Sequence, residues 1–124
     1  MSHPYVSREQ LTRLEQIHSK GIIHRDVKPE NFVIKNLGPK RKQISEYERS
    51  KGNNDFVQPI QQVYLIDFGL GNYFRDPKTG SHIEERKKSH FLGTVGFSSI
   101  NSHLLKEQSR RDDLEGLVYV LIYL

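Results

Sequence analysis

Within eight residues, His24-Arg25-Asp26-Val27-Lys28-Pro29-Glu30-Asn31, the chain sets a carboxylate, a cation and a carboxamide. Further on, Asp67-Phe68-Gly69 adds another acid directly after the apolar stretch 63–66. These residue types suit phosphoryl transfer, in which a carboxylate positions and deprotonates an attacking hydroxyl while oxygen ligands hold magnesium against the phosphates. Asp26 has the place of the base, and Asn31 and Asp67 those of the metal ligands. The four residues between Asp26 and Asn31 let one rigid loop put a base at the nucleophile and a ligand at the phosphates, with Lys28 as a cation for the transferring group. Asp67-Phe68-Gly69 alone would read as a surface turn; its position after the loop and after a strand gives it meaning.

Periodicity indicates the elements that must carry these residues. Ser7 with Gln10 is a capping-box start, and Leu11, Leu14, Ile17 and His18 share a helical face, which predicts a helix over 7–19 closed by Lys20 and Gly21. Ile22 and Ile23 begin a short strand that runs into His24, and 32–34 and 63–66 are two more. Between these last two, 35–62 contains Gly38, Pro39, Gly52, Asn53, Asn54, Pro59 and six Lys and Arg, and reads as a disordered insertion. Its Lys40-Arg41-Lys42 also fits a recognition or localisation signal. The stretch 67–102 has no sustained period and is expected as a long ordered loop or a flexible segment. Ser109 with Asp112 is a second capping box, opening a helix at Arg110. Its Leu114, Leu117, Val118, Val120, Leu121, Ile122 and Leu124 face every direction, so it is expected to be covered on all sides, and the chain's stopping within it reads as a sign of a piece of a larger domain.

Composition narrows the classes. A chain of 124 residues with 35% hydrophobic and 27% charged residues allows one soluble domain. The 19 Lys and Arg against 15 acids favour anionic partners without choosing among them; a nucleic-acid-binding module is the weakest reading, because no stacking motif supports it. With no cysteine there is no disulfide, thiolate catalysis or Cys-based zinc site, and His18 with His24 and His82 with His90 lack the one-turn spacing of a helical metal pair. Neither a signal peptide nor a span long enough for a bilayer is visible, so no membrane is expected and cytosol or nucleus follows.

The segment 24–31 matches the catalytic-loop pattern H-R-D-L-x-x-x-N of protein kinases, with Val27 for the usual Leu. Together with 17–31 (IHSKGIIHRDVKPEN), 63–70 (VYLIDFGL), 93–101 (GTVGFSSIN) and 107–114 (EQSRRDDL), the chain resembles the casein kinase I family. Ser99-Ile100-Asn101 in place of the Ala-Pro-Glu of most kinases, and EQSRRDD, are marks of that family. The resemblance leaves out 1–6 and 35–62.

It implies an α+β fold, a partial kinase C-lobe, mainly helical with a small β hairpin region, in one domain over 1–124 with an inserted loop at 35–62, and without the N-lobe or the last C-lobe helices. It implies a Ser/Thr kinase that uses ATP and Mg2+ on protein substrates, including acidic or pre-phosphorylated ones. Asp26 would be the catalytic base, Lys28 a phosphate contact, Asn31 and Asp67 the magnesium ligands, and Thr94 a hydroxyl bracing Asp26 and Lys28. Asp113 would hold the backbone at His24 and Arg25. The sequence also departs from the family: Gly96 stands where it has an Arg that binds a phosphate on the substrate, Asn72 replaces a basic residue, and Val118 replaces a Gly. Arg25, Arg86, Lys87 and Lys88 could supply an anion site instead. Neither the glycine-rich loop nor the strand lysine of kinases occurs in these residues, so the chain alone is expected to be inactive. The rival reading is a non-catalytic, kinase-like product that binds partners.

Overall fold

The computed structural model describes residues 4–41, 45–52 and 57–123. In chain order its elements are α1 (Pro4–Ser19), β1 (Ile22–Ile23), β2 (Phe32–Arg41), α2 (Glu46–Ser50), β3 (Val57–Leu65), β4 (Asn72–Tyr73), α3 (Ile100–His103) and α4 (Arg110–Tyr123), with 3₁₀ turns at Pro29–Asn31 and Val95–Phe97. Two small antiparallel sheets result, β1 with β4 and β2 with β3.

Helix α1 starts at Pro4 rather than near Ser7, because a proline in the first helical turn has its φ preset and gives up no intrahelical bond. The Ser7 side chain lies outside the described residues. At the other end Lys20 N–H and Gly21 N–H donate to the carbonyls of Ile17 and His18, and Gly21 turns the chain at φ 82° into β1.

The expectation of a structureless 35–62 is corrected for the described residues 35–41, 45–52 and 57–62. The β2–β3 ladder runs from Phe32↔Leu65 out to Arg41↔Val57, with a shift between Asn36 and Pro39. Two prolines, Pro39 and Pro59, face each other in it. In a two-stranded ribbon every strand is an edge, so proline's missing N–H is tolerated, and residues that read as loop breakers sit inside strands. Beyond the ribbon, α2 is closed by a complete capping box: Ser45 Oγ accepts the Glu48 N–H at 3.3 Å and Glu48 Oε2 accepts the Ser45 N–H at 3.1 Å. The side chains of Lys40 and Arg41, and all of Lys42, lie outside the described residues.

The core is formed by Leu14 of α1, Val27 of the loop between β1 and β2, and Leu117 and Val120 of α4, with Ile17, Phe32, Leu65, Phe97 and Leu121 packed around them. Helix α4 is buried on this face only. Leu114, Val118 and Ile122 are 40%, 52% and 76% exposed, so among the described residues this apolar helix is left uncovered on its other sides, in keeping with the expectation of a partial lobe without its last helices. Its start is half of the expected capping box: the Asp112 carboxylate accepts the Ser109 N–H at 2.7 Å, while the Ser109 hydroxyl lies 3.4 Å from His82 Nε2. The stretch 67–102 is not loop throughout, since β4, the Val95–Phe97 turn and α3 punctuate it in pieces too short to show a period.

Gly116 is where α4 closes on the loop between β1 and β2. A Cβ there would stand 3.1 Å from the Phe97 carbonyl oxygen and 3.2 Å from Val27 Cβ, neither of which is the free end of a flexible side chain. Gly116→Ala would gain up to about 1 kcal/mol in helix preference, against about 1–3 kcal/mol for overpacking. The expected net result is a lower urea midpoint; a higher midpoint would show that the loop yields.

Candidate active site

Strand β1 delivers the loop into the interior, with Ile23 and His24 fully buried. Arg25 then takes the left-handed backbone conformation at φ 67°, which costs a non-glycine residue about 1–2 kcal/mol. The carboxylate that holds this bend comes from α4: Asp113 Oδ2 accepts the His24 N–H at 2.8 Å and Oδ1 accepts the Arg25 N–H at 3.0 Å. His18 of α1 adds a bond from Nε2 to the same Oδ2 at 2.8 Å. The His24 ring locks the loop from the other side, because Nδ1 accepts the Asp26 N–H at 3.1 Å and Nε2 therefore donates to the Ile66 carbonyl at 2.9 Å. Phe68 closes against that ring edge-on, with centroids 5.0 Å apart.

Downstream of this bend, Asp26, Lys28 and Thr94 come together. Thr94 Oγ1 donates to Asp26 Oδ1 at 2.9 Å and accepts from Lys28 Nζ at 3.1 Å, while Lys28 Nζ stands 3.6 Å from Asp26 Oδ2. Thr94 is brought there across 68 residues by Gly93, whose φ is 116° and where a Cβ would meet Ser98 Oγ at 2.8 Å and the Arg25 carbonyl at 3.1 Å. Asn31, at the end of the 3₁₀ turn and buried, spends its amide N–H on the Asp26 carbonyl at 2.8 Å, which leaves its side-chain oxygen as a ligand-type atom.

Asp67 is positioned separately. The Ile66 N–H donates to the Asn31 carbonyl at 2.9 Å, so the chain entering Asp67 is pinned beside Asn31. The Asp67 side chain is exposed, at φ 60°, and its Oδ1 accepts the Gly69 N–H at 3.2 Å within its own turn. One carboxylate oxygen and one carboxamide oxygen on adjoining backbone form the kind of hard, sparse donor set that suits magnesium, which keeps most of its waters and its phosphate ligands.

The basic residues divide differently from the sequence grouping. Arg86 Nε and Lys88 Nζ both bind Glu107 Oε2, at 3.1 and 3.3 Å, and Lys87 pairs through its backbone with Lys106. Burial alone would raise the Glu107 carboxyl, but the Arg86 and Lys88 hydrogen bonds outweigh it and hold the group below its ordinary range. The stabilisation from that depressed carboxyl is therefore present at neutral pH and lost as pH falls through the carboxylate range. Arg25 is the one of the four that reaches inward: its Nε donates to the Leu70 carbonyl, and burial pulls the guanidinium down against the opposing pull of Glu107 and Asp113. A small depression is lined by Arg25, Lys88, His90 and Lys106 together with Ser102 and Gln108, so Arg86 and Lys87 are not part of it.

His90 and Lys106 carry no role in the sequence reading, where His18 is a helix-face residue, Ser99 part of a family mark and Asp112 a helix-start acid. His18 is hidden there as one member of an apolar helical face, and nothing in the local sequence links Ser99 to Asp112, whose side chains meet at 2.6 Å. Among the described residues no helix is long and apolar enough to cross a membrane. The family model described as protein kinase domain matches residues 5–109, well over half of the chain.

Proposed function

The chain belongs to the protein kinase family, and on that premise we propose that it carries the acceptor side of a casein kinase I-type Ser/Thr kinase, which moves the γ-phosphoryl of ATP to protein hydroxyls. The observation that carries this reading is the Asp26–Thr94–Lys28 triangle. Thr94 occupies Asp26 Oδ1, so Oδ2 is the oxygen left to orient a substrate hydroxyl and take its proton. Lys28, within 3.6 Å of that oxygen, is placed to meet charge on the transferring group. Asn31 and Asp67 would hold magnesium, which when bound neutralises charge on the phosphates. The assignment to Ser/Thr chemistry and to the casein kinase I type rests on the resemblance of 17–31, 93–101 and 107–114.

The glycine-rich loop and strand lysine that cover ATP are not among these residues, so the chain on its own should transfer no measurable phosphoryl. The proposal is tested in an enzyme completed with a nucleotide-binding lobe and the remaining helices from a casein kinase I homologue. Gly96 is open, with nothing within 4 Å of a built Cβ, so an arginine fits there. Gly96→Arg is expected to raise kcat/KM about tenfold for a peptide with phosphoserine three residues before the acceptor, the worth of one charge-assisted pair. Unphosphorylated peptides should change little. If the unmodified enzyme already prefers the primed peptide strongly and the arginine adds nothing, the depression at Arg25, Lys88, His90 and Lys106 serves as the anion site.

A further inference from the structure

Asp112 and Asp113 are neighbours in the first turn of α4, and their carboxylates grip two different segments. Asp113 holds the backbone of His24 and Arg25. Asp112, 4% exposed, accepts the Ser99 hydroxyl through Oδ1 at 2.6 Å and the Ser109 N–H through Oδ2 at 2.7 Å. Ser99 is as deeply buried, and its oxygen also accepts the Ser102 N–H at 3.0 Å, so the hydroxyl is used as both donor and acceptor. An acid that served only to start the helix would sit at the surface and need only the Ser109 bond.

Upstream of Ser99 the chain forms a closed turn. The Thr94 carbonyl accepts the Phe97 N–H at 3.0 Å and the Ser98 hydroxyl at 2.8 Å. Phe97 lies against Gly116, and Glu115 Oε2 takes the Ile100 N–H at 2.7 Å on the far side of Ser99. One end of the Thr94–Asp26 contact is thus fixed to α4 through Asp113, and the other through the 94–98 turn, Ser99 and Asp112.

We infer that Ser99 and Asp112 are positioning residues for the candidate active site. Their bond sets Thr94 against Asp26 and so orients the carboxylate, although neither residue touches it. The catalytic consequence rests on the kinase reading; the mechanical one rests on the hydrogen bonds alone.

The test uses Ser99→Ala and Ser99→Thr, which remove or keep the hydroxyl that Asp112 accepts while leaving its carboxylate on the Ser109 N–H. In the chain itself, Ser99→Ala removes both bonds of the hydroxyl, to Asp112 and from the Ser102 N–H, and is expected to speed amide hydrogen exchange at Phe97 about tenfold, while Arg25 and Val120 stay as they were and Ser99→Thr restores Phe97. In the completed enzyme, Ser99→Ala should lower kcat about tenfold with KM for ATP unchanged, again restored by Thr. Exchange at Phe97 that is unchanged, or that rises equally at Val120, overturns the inference. So does a loosened Phe97 with full kcat, which would make the pair structural only. A completed enzyme with no transfer at all defeats the kinase reading instead, and the exchange pattern then decides whether the pair holds the turn.

Discussion

Asp26→Asn in the completed enzyme should lower turnover about a thousandfold, within the range for removing a positioned general base. Asparagine fills the same space and can still accept the Thr94 hydroxyl at Oδ1, so the 2.9 Å bond and the loop around it are expected to survive. What disappears is the charge beside Lys28 and the oxygen able to take a proton. The loss should therefore fall on kcat, with KM for ATP nearly unchanged and the thermal midpoint within a degree or two of the parent. Residual turnover of a tenth or more would mean that Asp26 is not the base.

Asp113→Ala has the largest effect on the fold. Its carboxylate receives the N–H of His24 and of Arg25 and the ring of His18, and it is 2% exposed. Removing it strands the buried His24 N–H and the partly buried Arg25 N–H and releases a residue held at φ 67°, for a cost of about 3–5 kcal/mol. A domain of this size holds about 5–15 kcal/mol in all, so urea unfolding followed by circular dichroism should show a clearly lower midpoint, with a substantial part of the margin gone. Asp113→Asn keeps one acceptor oxygen and should fall between. Unchanged stability in the alanine variant would mean that the loop bend is held by something other than this carboxylate.

How much of this was legible in the sequence depends on the distance over which each relation acts. Asp26, Lys28 and Asn31 lie within six residues of one another, so the match to the kinase catalytic-loop pattern that suggests their chemistry is contained in one short segment. The short strands flanking them show in runs such as Phe32-Val33-Ile34. The ribbon beyond Ile34 was not legible, because pairing such as Arg41 with Val57 is set by register across the turn, and Pro39 and Pro59 argue locally for a loop. Helix α4 shows apolar residues on all sides, yet only the face carrying Leu117 and Val120 finds partners in this structure. Ser99 reads in sequence as a family mark and Asp112 as a helix-start acid, and only packing makes them a buried pair. The partners of the basic cluster were not legible for a related reason: adjacency of Arg86, Lys87 and Lys88 says nothing about Glu107, which takes up two of them.

The most direct test of the central claim is single-turnover transfer from γ-labelled ATP to an acidic protein substrate by the completed enzyme, followed by identification of the labelled amino acid. The account predicts magnesium-dependent label on serine or threonine that Asp26→Asn abolishes. Label on tyrosine only, or transfer that persists undiminished in Asp26→Asn, would contradict it.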